Sequence, residues 1–535
     1  MDRRSVLKLA AGAAAAAPLS ALNLRRAIAQ GAAGRPITYG QSTSLTALDP
    51  GQGGFLNYPA GYEAALCLYD RLIDFDENLR FVPQLAESWQ IADDLKSIRF
   101  VLRRGAKFHD GTPIDAAAVK FNIERTMDRQ RTPTNRPIWD PITAVEAPDD
   151  RTVIARTTTP FSQLLNIFAH GSAAMVSPTA IQRNGERSIA QNPVGSGPFM
   201  LESFNPGQQL IVKAFDDYWG GKPATPRITF QFIAEAATRV SALRTGSVDV
   251  IDAVPVQLIQ SLRREQNIEV ITKPGLRPMG FVINLTRAPY DNVLVRRALN
   301  FAVPVQTIAE RVFFGFARAS DSPLAFNTRD YRKAGDPVFD AARARALLAE
   351  AGWRDMVNNV LHKDGQPLKM TLQTSEGLFP GDVAVTEIAA RAWQQIGIDV
   401  TINKIDRSAY WDTLRQERAN LRFDLAMFGF NPSNASGLYH LESLFKSNAD
   451  DNARLDVWNI GRYRNARVDE LLRTANVTPD PARQTDLLGE AQRIIWEDAP
   501  YVWLQVNENA TAIKRGVSGV ELWPIVFTSV RKARG

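Results

Sequence analysis

Side chains able to do acid–base, nucleophilic or metal chemistry are sparse in this chain of 535 residues: it has four histidines, His109, His170, His362 and His440, and one cysteine, Cys67. The histidines show neither H-E-x-x-H nor paired-cysteine spacing, so nothing proposes a zinc site. In KFHDGTP (Lys107 to Pro113) His109 stands directly before Asp110, the pairing that a general base and its orienting carboxylate would need. The sequence offers no nucleophile or metal beside it. Asp110-Gly111 is instead a turn dipeptide, placed between a strand ending near Leu102 and a helix that Asp115 can cap, so a strand-to-helix turn is the expectation. There is no G-x-S-x-G elbow, and GGKP (Gly220 to Pro223) has proline where a phosphate loop needs a hydroxyl residue. GSGP (Gly195 to Pro198) leads into a strand-like run and offers no helix N-terminus to an anion. Cys67 reads as a small buried hydrophobe, since no basic partner is apparent. No enzyme activity, cofactor or metal is expected.

The elements around these residues alternate in period. Ile98, Phe100 and Leu102 recur at period two, as do Ile228, Phe230 and Phe232, and Ile398, Val400 and Ile402. Between such strands lie helical runs with recognisable ends. Asp115 and Asp340 are placed as N-caps, Gly352 and Gly397 as stops, and Asp382 to Gln395, Asn292 to Ala302 and Pro481 to Trp496 as helices. Strands alternating with helices imply an α/β architecture, and the length implies more than one lobe. Two Pro/Gly-rich stretches, KPGLRP (Lys273 to Pro278) and EDAPY (Glu497 to Tyr501), are the candidate junctions; a chain that leaves one lobe at the first and returns at the second can bend about the cleft between them.

The N-terminus reads as an export signal over residues 1–29: Arg3, Arg4 and Lys8 precede an alanine-rich apolar run, and Ala27-Ile28-Ala29 offers a cleavage site. DRRSVLK within it resembles the twin-arginine signal, an ordinary secretory signal being the alternative. Removing residues 1–29 takes five of 63 Lys+Arg and one of 57 Asp+Glu, leaving 58 against 56, a net charge of +2. That balance, without a basic run interleaved with aromatics, argues against nucleic acid as a partner. Cys67 lies far beyond the cleavage site and cannot carry a lipid anchor, so an unanchored periplasmic monomer is expected.

The flanks of KFHDGTP carry a resemblance. LAESWQIADD (Leu85 to Asp94) and RFVLRRGAKFHDGTPIDAAAVKFNIER (Arg99 to Arg125) are similar to the solute-binding proteins of dipeptide, oligopeptide and nickel ABC importers. The likeness continues in NPVGSGPFMLESFNPGQ (Asn192 to Gln208), DDYWGGKP (Asp216 to Pro223), TRVSALRTGSVDVI (Thr238 to Ile251), INLTRAPYDNVLVRRALNFAV (Ile283 to Val303), GRYRNARVDELL (Gly461 to Leu472) and EAQRIIWEDAPYVWL (Glu490 to Leu504). It implies a two-lobed type II periplasmic binding fold with an extra subdomain in the first lobe and a hinge between the lobes. Lobe I would comprise residues 35–275 plus 500–535, with the accessory part at about 75–185, and lobe II residues 276–499. The ligand would lie between the lobes, and the closed form would dock on a membrane permease complex.

The same resemblance proposes ligand contacts. Peptide-binding members hold the ligand's α-ammonium with an aspartate in a second-lobe loop; the matching stretch here, FDLAMFGFNPSNASGLYHLESLF (Phe423 to Phe445), has no acid between Gly429 and Leu438. Ser433, or else Asn431 or Asn434, falls where the aspartate would be, with Phe430 beside them. A peptide or peptide-like solute is the leading expectation, a sugar, opine-like conjugate or blocked peptide the alternative, and an acid elsewhere, such as Asp406, could take the aspartate's task. Trp411 matches a tryptophan that flanks ligand, or is a core aromatic. Ser44 and Leu45 match a first-lobe loop that contacts ligand. Arg277 either reaches a ligand carboxylate or is a solvated surface arginine. Nickel is disfavoured because no histidine falls in the candidate ligand loops. A periplasmic hydrolase or redox enzyme is the remaining alternative, opposed by the missing motifs.

Overall fold

Alternating burial builds the strands. In Arg227–Phe232, Ile228 and Phe230 are fully buried, and in Ser97–Leu102 the buried residues are Ile98, Phe100 and Leu102. A computed structural model describes residues 34–51, 59–128, 136–455, 458–525 and 527–535; the export-signal reading falls on residues outside these. Eleven strands form one sheet. Ten lie side by side in the order Asp399–Ile405, Lys369–Ser375, Leu425–Gly429, Ile268–Ile283, Tyr501–Lys514, Val250–Ile251, Ile37–Gln41, Arg227–Phe232, Gln209–Ala214 and Phe199–Asn205; Ala317–Ala319 pairs with Tyr501–Lys514 off this path.

Two long antiparallel strands join the halves of this sheet. The 268–274 end of Ile268–Ile283 pairs with residues 508–514, and residues 512–513 hold the first half through Val250–Ile251. Its other end, Met279–Ile283, pairs with Leu425–Gly429 of the second half. In that second half, strand alternation feeds two separate cores: Met279, Phe281, Ile283, Leu425 and Met427 face one, while Val282, Ala426 and Phe428 face the other. Helices therefore cover both faces. A separate four-stranded antiparallel sheet, Ala86–Ile91, Ser97–Leu102, Thr152–Thr157 and Ile142–Glu146, stands beside the first half.

The helix caps fall where their side chains predict. Asp115 accepts from the Ala118 N–H, Asp340 from the Arg343 N–H and Asn292 from the Leu294 N–H; each such cap is worth about 1 kcal/mol. Helix Asp382–Gln395 matches its expected span, and helix Pro481–Asp498 runs two residues beyond its expected end. The Lys273 to Pro278 stretch differs from expectation: it is part of a strand rather than a loop. Pro274 pairs with Glu508 and Pro278 with Val506, so four steps on one strand oppose two on the other. Prolines cannot donate to a ladder, and the resulting bulge removes Gly275 to Arg277 from it.

KFHDGTP is a clasp. The His109 ring accepts the Gly195 N–H at 3.2 Å through Nδ1 and donates through Nε2 to the Gly197 carbonyl at 3.0 Å, with its pKa lowered to about 4 by burial. Asp110 accepts from Thr112 and from Ser177 Oγ, and Gly111 takes φ +83°. Gly195 and Gly197 are needed because a Cβ there would lie 2.0 Å from the Leu68 carbonyl or 2.5 Å from that of Cys67. The ring nitrogens of His109 and the carboxylate oxygens of Asp110 are thus engaged by protein groups that clasp the turn to Gly195, Gly197 and Ser177.

Candidate functional site

A cavity of about 350 Å³ lies between the halves, within the range of small-ligand sites. Ser42, Asp252 and Thr528 come to it from the first half, Pro380 and Gly381 from the second, and Arg277, Asn507 and Glu508 from the two joining strands.

The bulge at Gly275 to Arg277 puts the arginine into this space. Its stem packs on the end of strand Leu425–Gly429, where a Cβ at Gly429 would lie 3.0 Å from Arg277 Cδ, and its guanidinium stands 5.9 Å from the Phe379 ring centroid. Among the described residues no carboxylate pairs with it, and its Nε is buried without a partner. Burial lowers its pKa to about 10, so it remains a cation at neutral pH. Leaving water without a counter-ion is costly for such a group. An anion entering the cavity would remove that cost.

The second-half loop expected to hold ligand is largely occupied by the first half. Asn166 Nδ2 donates to the Asn434 carbonyl at 2.8 Å, Asn431 Nδ2 to the Ile525 carbonyl at 3.1 Å, and Ser436 Oγ to Gln163. Ser433 faces the Tyr62 phenol, and Phe430 packs against Tyr439, His440 and Trp458. Nearby, the Ser162 N–H donates to the Asn476 carbonyl and Gln484 Nε2 to Ser162 Oγ, extending the same closure. Asn434 is buried, and its own Oδ1 accepts from the Ser436 N–H.

The remaining expected contacts stand apart from the cavity lining. Trp411 is half-buried and meets Phe379, Phe428 and Trp458 edge-on at 5.9, 5.9 and 5.6 Å, packed against the second-half aromatic core. Ser44 is exposed, and Leu45 is buried with its carbonyl held by the Gly207 N–H; Ser42, two residues earlier, is the one lining the cavity. Asp406 accepts from Ser408 on the surface. Cys67 is fully buried and its thiol is pushed up to about 12, chiefly by desolvation, so it is not poised as a nucleophile.

Asp252, Asn507 and Glu508 were not foreseen. One signal was available for the last two: Asn507-Glu508-Asn509 interrupts the apolar strand Tyr501–Lys514 at its middle, opposite the bulge. Asp252 gives no local signal, because it follows a two-residue strand and meets Ser42 only through the sheet.

The model of bacterial extracellular solute-binding proteins, family 5, matches residues 80–452. The glutathione-binding protein GsiB of Salmonella paratyphi A is 30% identical over 516 residues, covering 95% of this chain and 96% of its own. Among solved structures, NikZ from Campylobacter jejuni in complex with Ni(L-His) superposes with a TM-score of 0.80 at 21% identity, covering 94% of this chain and 99% of its own. The dipeptide-binding protein from Pseudoalteromonas sp. SM9913 in complex with Met-Leu gives 0.77 at 22%, covering 93% and 99%. The fold is thus the two-lobed type II periplasmic binding fold, and the chain belongs to the bacterial extracellular solute-binding proteins of family 5.

Proposed function

We propose that this chain captures a peptide-like solute bearing a free carboxylate in the cavity between its halves and delivers it to the membrane permease of an ABC importer, without acting on it chemically. The carrying observation is Arg277, a half-buried cation whose Nε is buried without a partner and which pairs with no carboxylate among the described residues, at the junction of both halves and lining the cavity. Glutathione, Met-Leu and L-His, named with the relatives, all carry a carboxylate. A neutral oligosaccharide would leave the guanidinium uncompensated, whereas an opine-like conjugate would not.

On this reading residues 35–275 with 500–535 move as one lobe and 276–499 as the other, with the accessory part at about 75–185 supplying the Ser162 to Asn166 side of the closure. Ligand contacts to both lobes favour the closed form by their difference in affinity for it. Export through residues 1–29 by the twin-arginine route, and work in the periplasm, suit the role.

A thermal-shift screen of the purified protein against di- and tripeptides, glutathione, opines and neutral sugars tests it. Carboxylate-bearing solutes should raise the melting temperature, since a ligand at a hundred times its Kd stabilises the native state by about 2.7 kcal/mol. A shift with neutral sugars and none with any carboxylate compound contradicts the proposal.

A further inference from the structure

The cavity has a second charged wall, in the first half. Asp252 is 6% exposed, accepts the Ser42 N–H at 2.7 Å and Ser42 Oγ at 2.6 Å, and is thereby fixed in orientation at the lining. Arg239 stands nearest, with Nε 3.7 Å from Asp252 Oδ1, but its terminal nitrogens are taken by the carbonyls of Ile233, Ala234 and Ala253. Behind Asp252 lies Glu63, 1% exposed, which accepts the Thr528 N–H at 2.8 Å and the Gln41 side-chain amide. No cation pairs with Glu63 among the described residues. Asp252 is thus only loosely ion-paired with Arg239, whose terminal nitrogens are engaged elsewhere. Across the cavity, Arg277 pairs with no carboxylate among the described residues. Glu508 also lines the space, half-buried on a joining strand, but among the described residues no hydrogen bond fixes its side chain.

We propose that Asp252 is the cation site of this cavity: a cationic nitrogen of the ligand sits on the first-half wall at Asp252 while the ligand's carboxylate meets Arg277, so that the cavity selects zwitterions. The inference rests on the carboxylate reading above. It moves ammonium recognition from the acid-free loop at Phe430 to Ser436 to the opposite lobe. A carboxylate already oriented by two hydrogen bonds loses little freedom on pairing, which favours it over the unrestrained Glu508.

The test is calorimetric titration of the unaltered protein with dialanine and glutathione, their N-acetylated forms and their C-terminal amides, repeated on Asp252→Asn and Glu508→Gln. N-acetylation should weaken binding roughly tenfold to a hundredfold, the range of a hydrogen bond to a charged group. That penalty should vanish in Asp252→Asn and persist in Glu508→Gln. If N-acetylation costs nothing while amidation does, the Asp252 assignment fails and the Arg277 reading stands; an N-acetylation penalty that disappears only in Glu508→Gln moves the site to Glu508. If neither free nor blocked compounds bind, both readings fail. The analogue comparison needs no variant, so a misfolded Asp252→Asn does not spare the proposal.

Discussion

Two regions bring polar side chains to the boundary between the halves, and they use them in opposite ways. The Phe430 to Ser436 loop uses most of its hydrogen-bonding capacity on protein, where its groups meet Asn166, Gln163 and Ile525, and leaves one buried neutral acceptor, Asn431 Oδ1, without a partner. The cavity walls at Arg277 and Asp252 hold charge in reserve: Arg277 pairs with no carboxylate among the described residues, and Asp252 has only Arg239 at 3.7 Å. A residue of suitable type near a cleft is therefore not enough to identify a ligand contact. What distinguishes a contact is capacity that the protein itself leaves unused, because an unmet buried charge lowers stability unless a ligand meets it.

The sharpest way to break that contrast is to remove the unused charge. Arg277→Met should weaken binding of a carboxylate ligand by about a hundredfold or more, as truncating one member of a buried charge pair does, while raising the melting temperature of the ligand-free protein. Titration and scanning calorimetry read the two effects; a fall in both would make Arg277 an ordinary structural residue.

A pH effect follows on the acidic wall. Burial, then the Asp252 charge, raise Glu63 from an ordinary 4.5 to about 8, so the folded state holds a proton that the unfolded chain releases near 4.5. Glu63 thus favours folding below about pH 4.5, and that contribution is lost as pH rises through 8. Tyr39, Gln41, Asp252 and Thr528 surround it, and none is a cation. Glu63→Gln should gain stability over the unaltered protein, on the order of 1–3 kcal/mol, as pH is raised from 5 to 8; a constant offset would mean that Glu63 is ionised throughout. Denaturant melts across that window measure it.

Smaller effects belong to the loop. Asn166→Ala removes one bond that holds the halves together and should reduce ligand affinity by roughly threefold to tenfold, leaving discrimination between a free and an amidated carboxylate unchanged. Loss of that discrimination would mean that the loop is a recognition element. Ser433→Ala should change affinity by less than about threefold, since a side chain outside the ligand's charge pairs contributes little; a larger loss in titration would return Ser433 to the ligand site.

The sequence makes the elements legible because their rules are local. Asp115, Asp340 and Asn292 cap helices through neighbours two or three positions away, and period-two burial marks Ser97–Leu102 and Arg227–Phe232 without reference to the rest of the chain. KFHDGTP is readable as a turn for the same reason. The cavity is a product of long-range convergence. Ser42 meets Asp252 across 210 residues, and Arg277 enters the space only because two prolines and a register slip bulge it out of a strand. Residue type could nominate Arg277, but its missing partner is a property of the assembled halves. Asn431, Ser433 and Asn434 were nominated by loop position, and position does not reveal that Asn166 and Ile525 already hold two of them.

The central claim is that Arg277 anchors a ligand carboxylate between the halves. Comparing the affinities of dialanine and its C-terminal amide in the unaltered protein and in Arg277→Met isolates that contact as a coupling. The account predicts an amide penalty of at least roughly tenfold in the unaltered protein and none in the variant; an equal penalty in both would contradict it.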